Sequence, residues 1–251
     1  MPGTNSYSLS MINNEDRKRY HRQLFIDQWG DEGQEKISTA RVSIIGAGGL
    51  GSPVSLYLAA AGVGRLRIID KDRVELSNLN RQILYNEQSI GVAKAASARE
   101  RLIALNSTIS IKCLEAEFSD ATADEFCSET DILVDCLDSF SARKILNRWA
   151  VKKKIPLVHA GISGGGGQIT VIPAGGKPCL ECLFPQEPDQ NNIPVVGAAV
   201  GILGSMQAME VLKLITGIGE PLTRRLLICN GLTADYQEIA LQADPDCPVC
   251  G

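Results

Sequence analysis

Short apolar runs and longer amphipathic stretches alternate along the first 160 residues of the chain. Short runs rich in Ile, Val and Leu are typical of strands buried on both faces, whereas longer amphipathic stretches are typical of helices. The predicted strands are 41–45, 65–70, 109–114, 131–136 and 155–160. The predicted helices are 17–39, about 50–62, about 92–105 and about 140–153. This alternation predicts an α/β protein with a mostly parallel, doubly wound sheet.

The pattern of hydrophobic residues changes after residue 160. A glycine-rich segment leads into an apolar run at 168–173, which predicts an antiparallel strand, and Pro, Asn and Gln dominate a predicted loop at 184–194. The stretch 197–216 is apolar nearly all round, which is typical of a buried helix. Two more short strands are predicted at about 224–229 and 234–241.

A glycine-rich turn, GAGGLG at 46–51, joins the first predicted strand to the next helix. It matches the G-x-G-x-x-G pattern, in which glycines let backbone N–H groups approach phosphate oxygens at a helix N-terminus. Asp70 ends the second predicted strand, where an acid can bind ribose hydroxyls. The order of these parts predicts a Rossmann-like nucleotide-binding unit, although the turn by itself suits NAD, FAD and ATP equally.

The polar segment 72–82 and the cations around it favour one of these nucleotides. A nicotinamide enzyme needs an apolar slot for hydride transfer, whereas a nucleoside triphosphate needs cations on its β- and γ-phosphates. Arg81 and Lys94 are suited to that role, although a single arginine is often only a solvated surface residue. The segment therefore favours a nucleoside triphosphate over a nicotinamide cofactor.

Eight cysteines occur in the chain, and four of them form two C-x-x-C doublets. Each doublet offers two thiolates on one turn, and two doublets complete the tetrahedral four-thiolate site that zinc prefers. A thioredoxin-like dithiol usually opens a helix after a strand. These doublets lie instead beside Pro178 and at the chain end, so zinc is favoured over redox chemistry. The predicted zinc ligands are Cys179, Cys182, Cys247 and Cys250. We expect the other four to be small buried hydrophobic residues: Cys113, Cys127, Cys136 and Cys229.

The 251 residues carry a formal net charge of −4, which gives no electrostatic reason to expect nucleic acid or an anionic membrane as a partner. The chain contains no stretch of about 18 uncharged apolar residues. Its N-terminus is polar and lacks the apolar core of a signal peptide. We therefore expect a soluble protein of the reducing cytoplasm.

Several motifs, taken together and in order over about residues 15–251, resemble the MoeB/ThiF/HesA family. They are YHRQ at 20–23, GAGGLGSP at 46–53, the stretch 70–82 with SNLNRQ, Lys94, DCLDS at 135–139, CLECLFP at 179–185, GSMQAMEVLKLITG at 204–217 and the closing CPVCG. These bacterial relatives of ubiquitin-activating enzymes adenylate ubiquitin-like sulfur-carrier proteins. The resemblance implies an ATP- and Mg²⁺-dependent adenylyltransferase acting on the carrier's C-terminal Gly-Gly carboxylate.

The resemblance also implies roles for individual residues. The residues expected to contact ATP are Gly46, Gly48, Gly49, Gly51, Asp70, Ser77, Asn78, Arg81, Gln82, Lys94, Asp138 and Ser139. Among these, Asp70 would hold the ribose, Lys94 would contact the α- and β-phosphates, and Asp138 would hold Mg²⁺. Arg22 resembles an arginine finger that enters the partner subunit's site, so the resemblance implies a homodimer. The catalytic residues would then be Arg22, Arg81, Lys94 and Asp138.

The implied organisation is one ThiF-type domain with three parts: an N-terminal helical segment at 1–40, a nucleotide-binding half at 41–160 and a carrier-binding half at 161–251. Nothing in the sequence resembles a Ser-His-Asp site, and His21 and His159 are expected to be packing or surface residues. Some family members carry a further cysteine in the loop after the first doublet, but the loop 184–194 has none.

The missing cysteine suggests that the reaction stops at the acyl-adenylate, although a cysteine elsewhere is the alternative. We expect no rhodanese-like domain after Gly251, and we therefore expect a separate sulfur-donor protein. Two other functions stay open: a non-catalytic dimeric carrier-binding scaffold, and activation of a peptide or nucleoside carboxylate. The pathway, whether molybdopterin, thiamin, cysteine or a secondary metabolite, is not indicated.

Overall fold

An eight-stranded sheet forms the centre of the protein in the computed structural model, which describes residues 12–189 and 193–251. The strand order is β3-β2-β1-β4-β5-β6-β7-β8. The first five strands pair in parallel and the last four pair antiparallel, with β5 common to both sets. The strands are β1 (Arg41–Ile45), β2 (Arg65–Ile69), β3 (Ser110–Leu114), β4 (Ile132–Asp135), β5 (Leu157–Ser163), β6 (Gly166–Ile172), β7 (Arg225–Asn230) and β8 (Asp235–Ala240).

Helices cover both faces of this sheet. They are α1 (Asn14–Arg19), α2 (His21–Leu24), α3 (Gly30–Thr39), α4 (Gly51–Ala61), α5 (Lys94–Leu105), α6 (Ala123–Cys127), α7 (Phe140–Lys153), α8 (Leu180–Leu183) and α9 (Gly197–Thr216). Because side chains alternate along a strand, neighbouring residues of β1 enter different cores. Ile44 belongs to the core that includes residues of α4 and α9, whereas Ile45 belongs to the core that includes residues of α6, α7 and α8.

Helix α9 packs on β5, β6 and α4, so it is a core helix of the fold. Its length and composition would also suit a membrane span, but half of it is buried inside the protein. A Cβ atom on Gly204 would overlap the Pro53 ring of α4. The absence of a side chain at Gly204 therefore lets α4 and α9 approach each other closely.

The structure confirms the predicted fold class, a mostly parallel sheet continued by antiparallel strands. The prediction of one helix over 17–39 is wrong, because the chain forms α1, α2 and α3 there. Gln28 adopts a positive φ of 68°, which a continuous right-handed helix excludes. Helices α6 and α8 were not predicted, because each is too short to show a helical period.

The other predicted strands and helices form within a few residues of their expected bounds. The predicted boundary at 160 falls inside β5, and the division into three parts stays a prediction. Residues 1–11 of the predicted N-terminal segment and residues 190–192 of the predicted loop lie outside the described residues.

Candidate active site and metal centre

The candidate active site lies where the order of the parallel strands reverses. Strands β1, β2 and β4 end at Ile45, Ile69 and Asp135, and parallel pairing brings these carboxyl ends to the same edge of the sheet. The loops that follow carry the glycine turn, Asp70 and Asp138. Chain order continues outward from β1 to β2 on one side and resumes with β4 on the other, so this edge is the topological switch point of the sheet. Nucleotides bind at such points in open α/β sheets.

The glycine turn is hydrogen-bonded to the last residue of β2 and to the residue that follows it. The Ala47 N–H donates to Asp70 Oδ2 at 2.7 Å, and the Gly46 N–H donates to the Ile69 carbonyl at 2.8 Å. By contrast, the N–H groups of Gly48 and Gly49 make no hydrogen bond within the described residues. Two unpaired N–H groups just before the N-terminus of α4 form a suitable site for phosphate oxygens.

Asp70 serves the turn as well as the place predicted for the ribose. Its Oδ2 accepts the Ala47 N–H, and its Oδ1 accepts the Asp72 N–H at 2.9 Å. Burial raises the pKa of the Asp70 carboxyl group above its ordinary value. Each oxygen keeps a second lone pair, so accepting a sugar hydroxyl is compatible with both contacts.

Two glycines of the turn should tolerate alanine very differently. A Cβ atom on Gly51 would overlap the Gly46 carbonyl oxygen, whereas the nearest atom to a Cβ on Gly48 would be Gln82 Nε2 at 3.7 Å. We expect Gly51→Ala to lower the free energy of unfolding by about 1–3 kcal/mol, as overpacking does. Gly48→Ala should unfold like the unchanged protein but bind ATP more weakly, because its methyl group enters the phosphate site. Chemical denaturation and ATP titration measure these effects; wild-type ATP affinity in Gly48→Ala would contradict this location.

The predicted cations lie beside the glycine turn. Lys94 is the first residue of α5, and its Nζ atom forms an ion pair with Asp72 at 2.9 Å while its side chain is only 6% exposed. Arg81 donates to the Ser77 carbonyl at 2.9 Å and to Asn80 Oδ1 at 3.1 Å. Their placement agrees with a phosphate site at this edge.

The amides of the SNLNRQ segment fix its backbone and leave one polar atom available. Asn78 Oδ1 accepts the Glu75 N–H at 3.1 Å, closing a short helical turn at Leu76–Asn78. Gln82 is buried, and its Oε1 atom has no hydrogen-bond partner among the described residues. An unpaired buried amide oxygen at this place fits a ligand group that donates a hydrogen bond, such as a sugar hydroxyl, because such atoms are costly to leave unpaired.

Asp138 and Ser139 follow β4, whereas Lys94 comes after β2, so they lie on opposite sides of the crevice that the switch point forms at the end of β1. Asp138 is exposed in the loop after β4, and Ser139 caps the N-terminus of α7. Lys71, in the loop after β2, is close enough to sense the Asp138 carboxylate. The pKa of Lys71 is raised mainly by its hydrogen bond with Glu117, and the negative charge of Asp138 raises it further. The Asp138 carboxylate is therefore a suitable Mg²⁺ ligand at the mouth of the crevice.

Arg22 is the one predicted catalytic residue that the fold does not bring to this crevice. It is exposed on α2, and its side chain makes no hydrogen bond or ion pair within the described part of the chain. The adjacent Gln23 donates to the carbonyl of Ala61, at the C-terminal end of α4. The glycine turn is at the other end of that helix, about 16 Å away for eleven residues.

The four cysteines of the two doublets come together as predicted. Cys179 Sγ lies 3.7 Å from Cys247 Sγ, and Cys182 Sγ lies 3.5 Å from Cys250 Sγ. All four sulfur atoms lie within 4.8 Å of one another. A tetrahedral zinc site with bonds of about 2.3 Å has sulfur atoms roughly 3.8 Å apart. The cluster therefore has the size of a four-thiolate metal site.

A buried polar network under the Asp138 loop was not predicted. His159 Nδ1 lies 2.6 Å from Asp135 Oδ2, while Asp135 Oδ1 accepts the Leu137 N–H at 3.0 Å. Arg143 Nη2 donates to the Leu137 carbonyl at 2.6 Å and to the Ala160 carbonyl at 3.2 Å. Burial lowers the pKa of His159, so its imidazole is neutral near pH 7. The network fixes the backbone immediately before Asp138, and it makes His159 a packing residue.

One feature of the sequence indicates this network. An acid at the end of an otherwise apolar strand, as at Asp135, must find partners when it is buried. Arg143 and His159 carry no such signal, because helical or strand periodicity does not reveal which buried side chains meet across a sheet.

Known proteins that are similar to this chain indicate its family. The model of the ThiF family matches residues 20–249. The chain is 40% identical over 248 residues to a "Sulfur carrier protein adenylyltransferase" of Thermus thermophilus, covering 94% of this chain and 92% of the relative. It is 39% identical over 239 residues to a "SAMP-activating enzyme E1" of Haloferax volcanii, and the alignment covers 93% of this chain and 88% of that relative.

Two further comparisons concern a longer relative and a solved structure. "Adenylyltransferase and sulfurtransferase MOCS3-1" of Zea mays is 40% identical over 240 residues, which are 93% of this chain but 51% of that relative. A crystal structure of E. coli MccB with AMPCPP and MccA superposes with a TM-score of 0.84 at 27% identity, covering 96% of this chain and 76% of that one. Because the family model matches residues 20–249 and a relative is 40% identical over 248 residues, the chain belongs to the ThiF family.

Proposed function

We propose that the protein is an ATP-dependent adenylyltransferase that activates the C-terminal Gly-Gly carboxylate of a ubiquitin-like sulfur carrier. The observation that carries this proposal is the arrangement at the switch point, where the glycine turn has unpaired N–H groups, Arg81 lies next to Gly49, and Lys94 pairs with Asp72 in the loop after β2. The identity of 40% to a sulfur carrier protein adenylyltransferase, over nearly the whole of both chains, supports the choice of substrate.

The reaction needs positioning and charge neutralisation more than acid–base catalysis. A carrier carboxylate is already ionised at neutral pH, so its oxygen attacks the α-phosphorus directly and pyrophosphate leaves. The glycine turn and Asp70 would hold the nucleotide, while Arg81 and Lys94 would stabilise the negative charge that develops on pyrophosphate. Asp138 would hold Mg²⁺, which neutralises phosphate charge when it is bound.

The ion pair of Lys94 with Asp72 suggests how the cation is kept in place. A lysine side chain that is 6% exposed needs a partner, and Asp72 supplies it at 2.9 Å. When phosphate oxygens approach, the ammonium group can contact them with its other N–H bonds and keep the Asp72 contact. Lys94 is thus oriented before the nucleotide binds.

A homodimer with shared sites would explain the position of Arg22. The length of α4 separates Arg22 from its own glycine turn by more than an arginine side chain can reach. Phe25 and Ile26, close to Arg22 in sequence, are 75% and 48% exposed. Exposed apolar side chains beside an unpaired arginine are typical of a surface that another subunit covers.

The four-cysteine cluster would hold a structural zinc ion. Its sulfur spacing fits tetrahedral zinc, and all its ligands come from protein side chains, which leaves no open position for substrate. The metal would tie the segment after Cys247 to the segment at Cys179. The cytoplasmic location and the separate sulfur donor stay predictions.

No covalent intermediate with an enzyme thiol is expected. Burial raises the pKa of Cys113 and of Cys127 to about 12, and it raises the pKa of Cys136 well above its ordinary value. Such thiols are protonated and poorly nucleophilic at neutral pH. Mass spectrometry of the enzyme with MgATP and carrier should find the carrier adenylate and no enzyme–carrier adduct. A DTT-sensitive adduct on any of these cysteines would contradict the proposal.

The two other functions can be separated by the choice of acceptor. The likeness to MccB, crystallised with MccA, is the observation that keeps another acceptor open, but the identity is only 27%. The experiment offers MgATP with a Gly-Gly-terminated carrier, short peptides and nucleoside carboxylates, and identifies adenylated products by mass. We expect the carrier alone to gain AMP. A peptide or nucleoside product would replace the substrate assignment, and no product from any acceptor would favour a non-catalytic scaffold.

A further inference from the structure

Helix α7 presents a buried asparagine to the four-cysteine cluster. Asn147 is 1% exposed, and its Oδ1 atom accepts the N–H of Leu180 at 3.0 Å. Leu180 directly follows Cys179 and is the first residue of α8, so this hydrogen bond caps the turn that carries the first cysteine doublet. The oxygen of the Asn147 amide therefore stabilises the turn that carries the first cysteine doublet.

The other half of the amide is unpaired. Asn147 Nδ2 is buried and makes no hydrogen bond to any residue in 12–189 or 193–251. The same amide group accepts the N–H of Leu180, the residue that directly follows Cys179, so its unpaired Nδ2 atom lies beside the turn that carries the Cys179 sulfur. A buried donor without an acceptor is costly, so it points to an acceptor that is stronger than a neutral thiol.

A metal-bound thiolate is such an acceptor. Four thiolates around a divalent ion carry a net charge of −2, and N–H donors outside the ligand sphere stabilise this charge and fix the ligand orientation. Glu181, between the two cysteines of the doublet, adds another negative charge, but Lys144 pairs with it at 3.4 Å. Lys144 and Asn147 lie one turn apart on α7, so the same helix offsets both kinds of negative charge.

We infer that Asn147 is a positioning residue of the four-cysteine metal site, with Oδ1 holding the Cys179 turn and Nδ2 donating to the Cys179 thiolate. This inference rests on the proposed metal site and not on the adenylation reaction. It predicts that metal affinity depends on the amide donor and not only on the packing of a buried residue at this position.

The test compares three variants by metal affinity and spectrum. Asn147→Asp keeps an oxygen for the Leu180 N–H but removes the donor, and Asn147→Ala removes both. The matched control is Asn106→Ala, which removes another fully buried asparagine that donates to Tyr20 Oη and the Ala59 carbonyl, with no contact to the cysteine cluster. Each protein is purified with its metal, and zinc affinity is measured by competition with a chromophoric chelator.

We expect Asn147→Ala to bind zinc about 10–100-fold more weakly, the usual cost of losing such a partner. Asn147→Asp should be weakened at least as much, and Asn106→Ala should match the unchanged protein. Cobalt substitution adds a second readout, because losing the N–H···S contact should shift the sulfur-to-cobalt charge-transfer band in both Asn147 variants.

Asn147→Asp with unchanged affinity and spectrum would overturn the inference. If Asn147→Asp fails to fold, Asn147→Ala decides, and equal affinities for it and Asn106→Ala would overturn the inference too. Normal metal binding in the unchanged protein without adenylation would refute only the proposed reaction.

Discussion

Arg22→Ala and Asp138→Ala should each abolish adenylation, and mixing the two inactive proteins should restore part of it. Arg22 would act across the dimer and Asp138 within its own chain, so a mixed dimer has one site with both residues intact. Random exchange makes half of the dimers mixed, each with one of two sites whole, so recovery of up to about a quarter of the unchanged activity is expected. Each single variant should lose roughly 10³-fold or more in rate, as phosphoryl-transfer sites do without such a group.

The measurement is the rate of carrier adenylation before and after subunit exchange. Arg22→Ala should still bind ATP, because the glycine turn and Asp70 are unchanged. Arg19→Ala is the control: Arg19 is another exposed arginine nearby, and it donates to the Leu105 carbonyl instead of facing a site. Proven exchange with no recovery would mean that Arg22 acts within its own chain or has no catalytic role.

Cys250→Ser should release the metal ion and loosen the C-terminal segment. The ion would join Cys250 to three other thiolates from two distant parts of the chain, and a four-thiolate zinc site loses most of its affinity with one ligand. We expect about one zinc ion per chain in the unchanged protein and none in the variant. Thermal unfolding should begin at a lower temperature in the variant, while ATP binding at the glycine turn persists.

Cys113→Ser is the matched control, since Cys113 lies on β3 and outside the cluster. It should keep both the metal and the unfolding temperature. Metal analysis that finds no zinc in the unchanged protein, together with thiols that cycle to a disulfide, would show that the doublets are a redox pair.

The elements that the sequence predicted well are those with a strong local pattern. Helix α7 has a serine cap, and α9 is apolar over twenty residues, so both could be predicted closely from sequence alone. The segment 17–39 has helical composition throughout, but its division into α1, α2 and α3 depends on tertiary contacts. In one of these, Gln23 and Gln34 both donate to the Ala61 carbonyl. Such contacts have no periodic signature.

The same distinction between local sequence patterns and tertiary contacts applies to the candidate site. The glycine turn, Asp70 and the cysteine doublets could be found because their spacing itself reflects the chemistry. Asp138 and Arg22 came from resemblance, and their roles stay predictions. Asn147 and Arg143 could not be found in the sequence. Their positions become informative only when α7 is seen to lie between the Asp138 loop and the cysteine cluster.

The central claim is that the protein joins AMP to the C-terminal carboxylate of a sulfur carrier, and ATP–pyrophosphate exchange tests it most directly. The assay contains enzyme, MgATP, labelled pyrophosphate and a ubiquitin-like carrier, either complete or lacking its last glycine. We expect rapid exchange with the complete carrier, none with the shortened carrier, and none with Asp138→Ala. Exchange that is independent of the carrier, or absent with every complete sulfur carrier while ATP still binds, would contradict the claim.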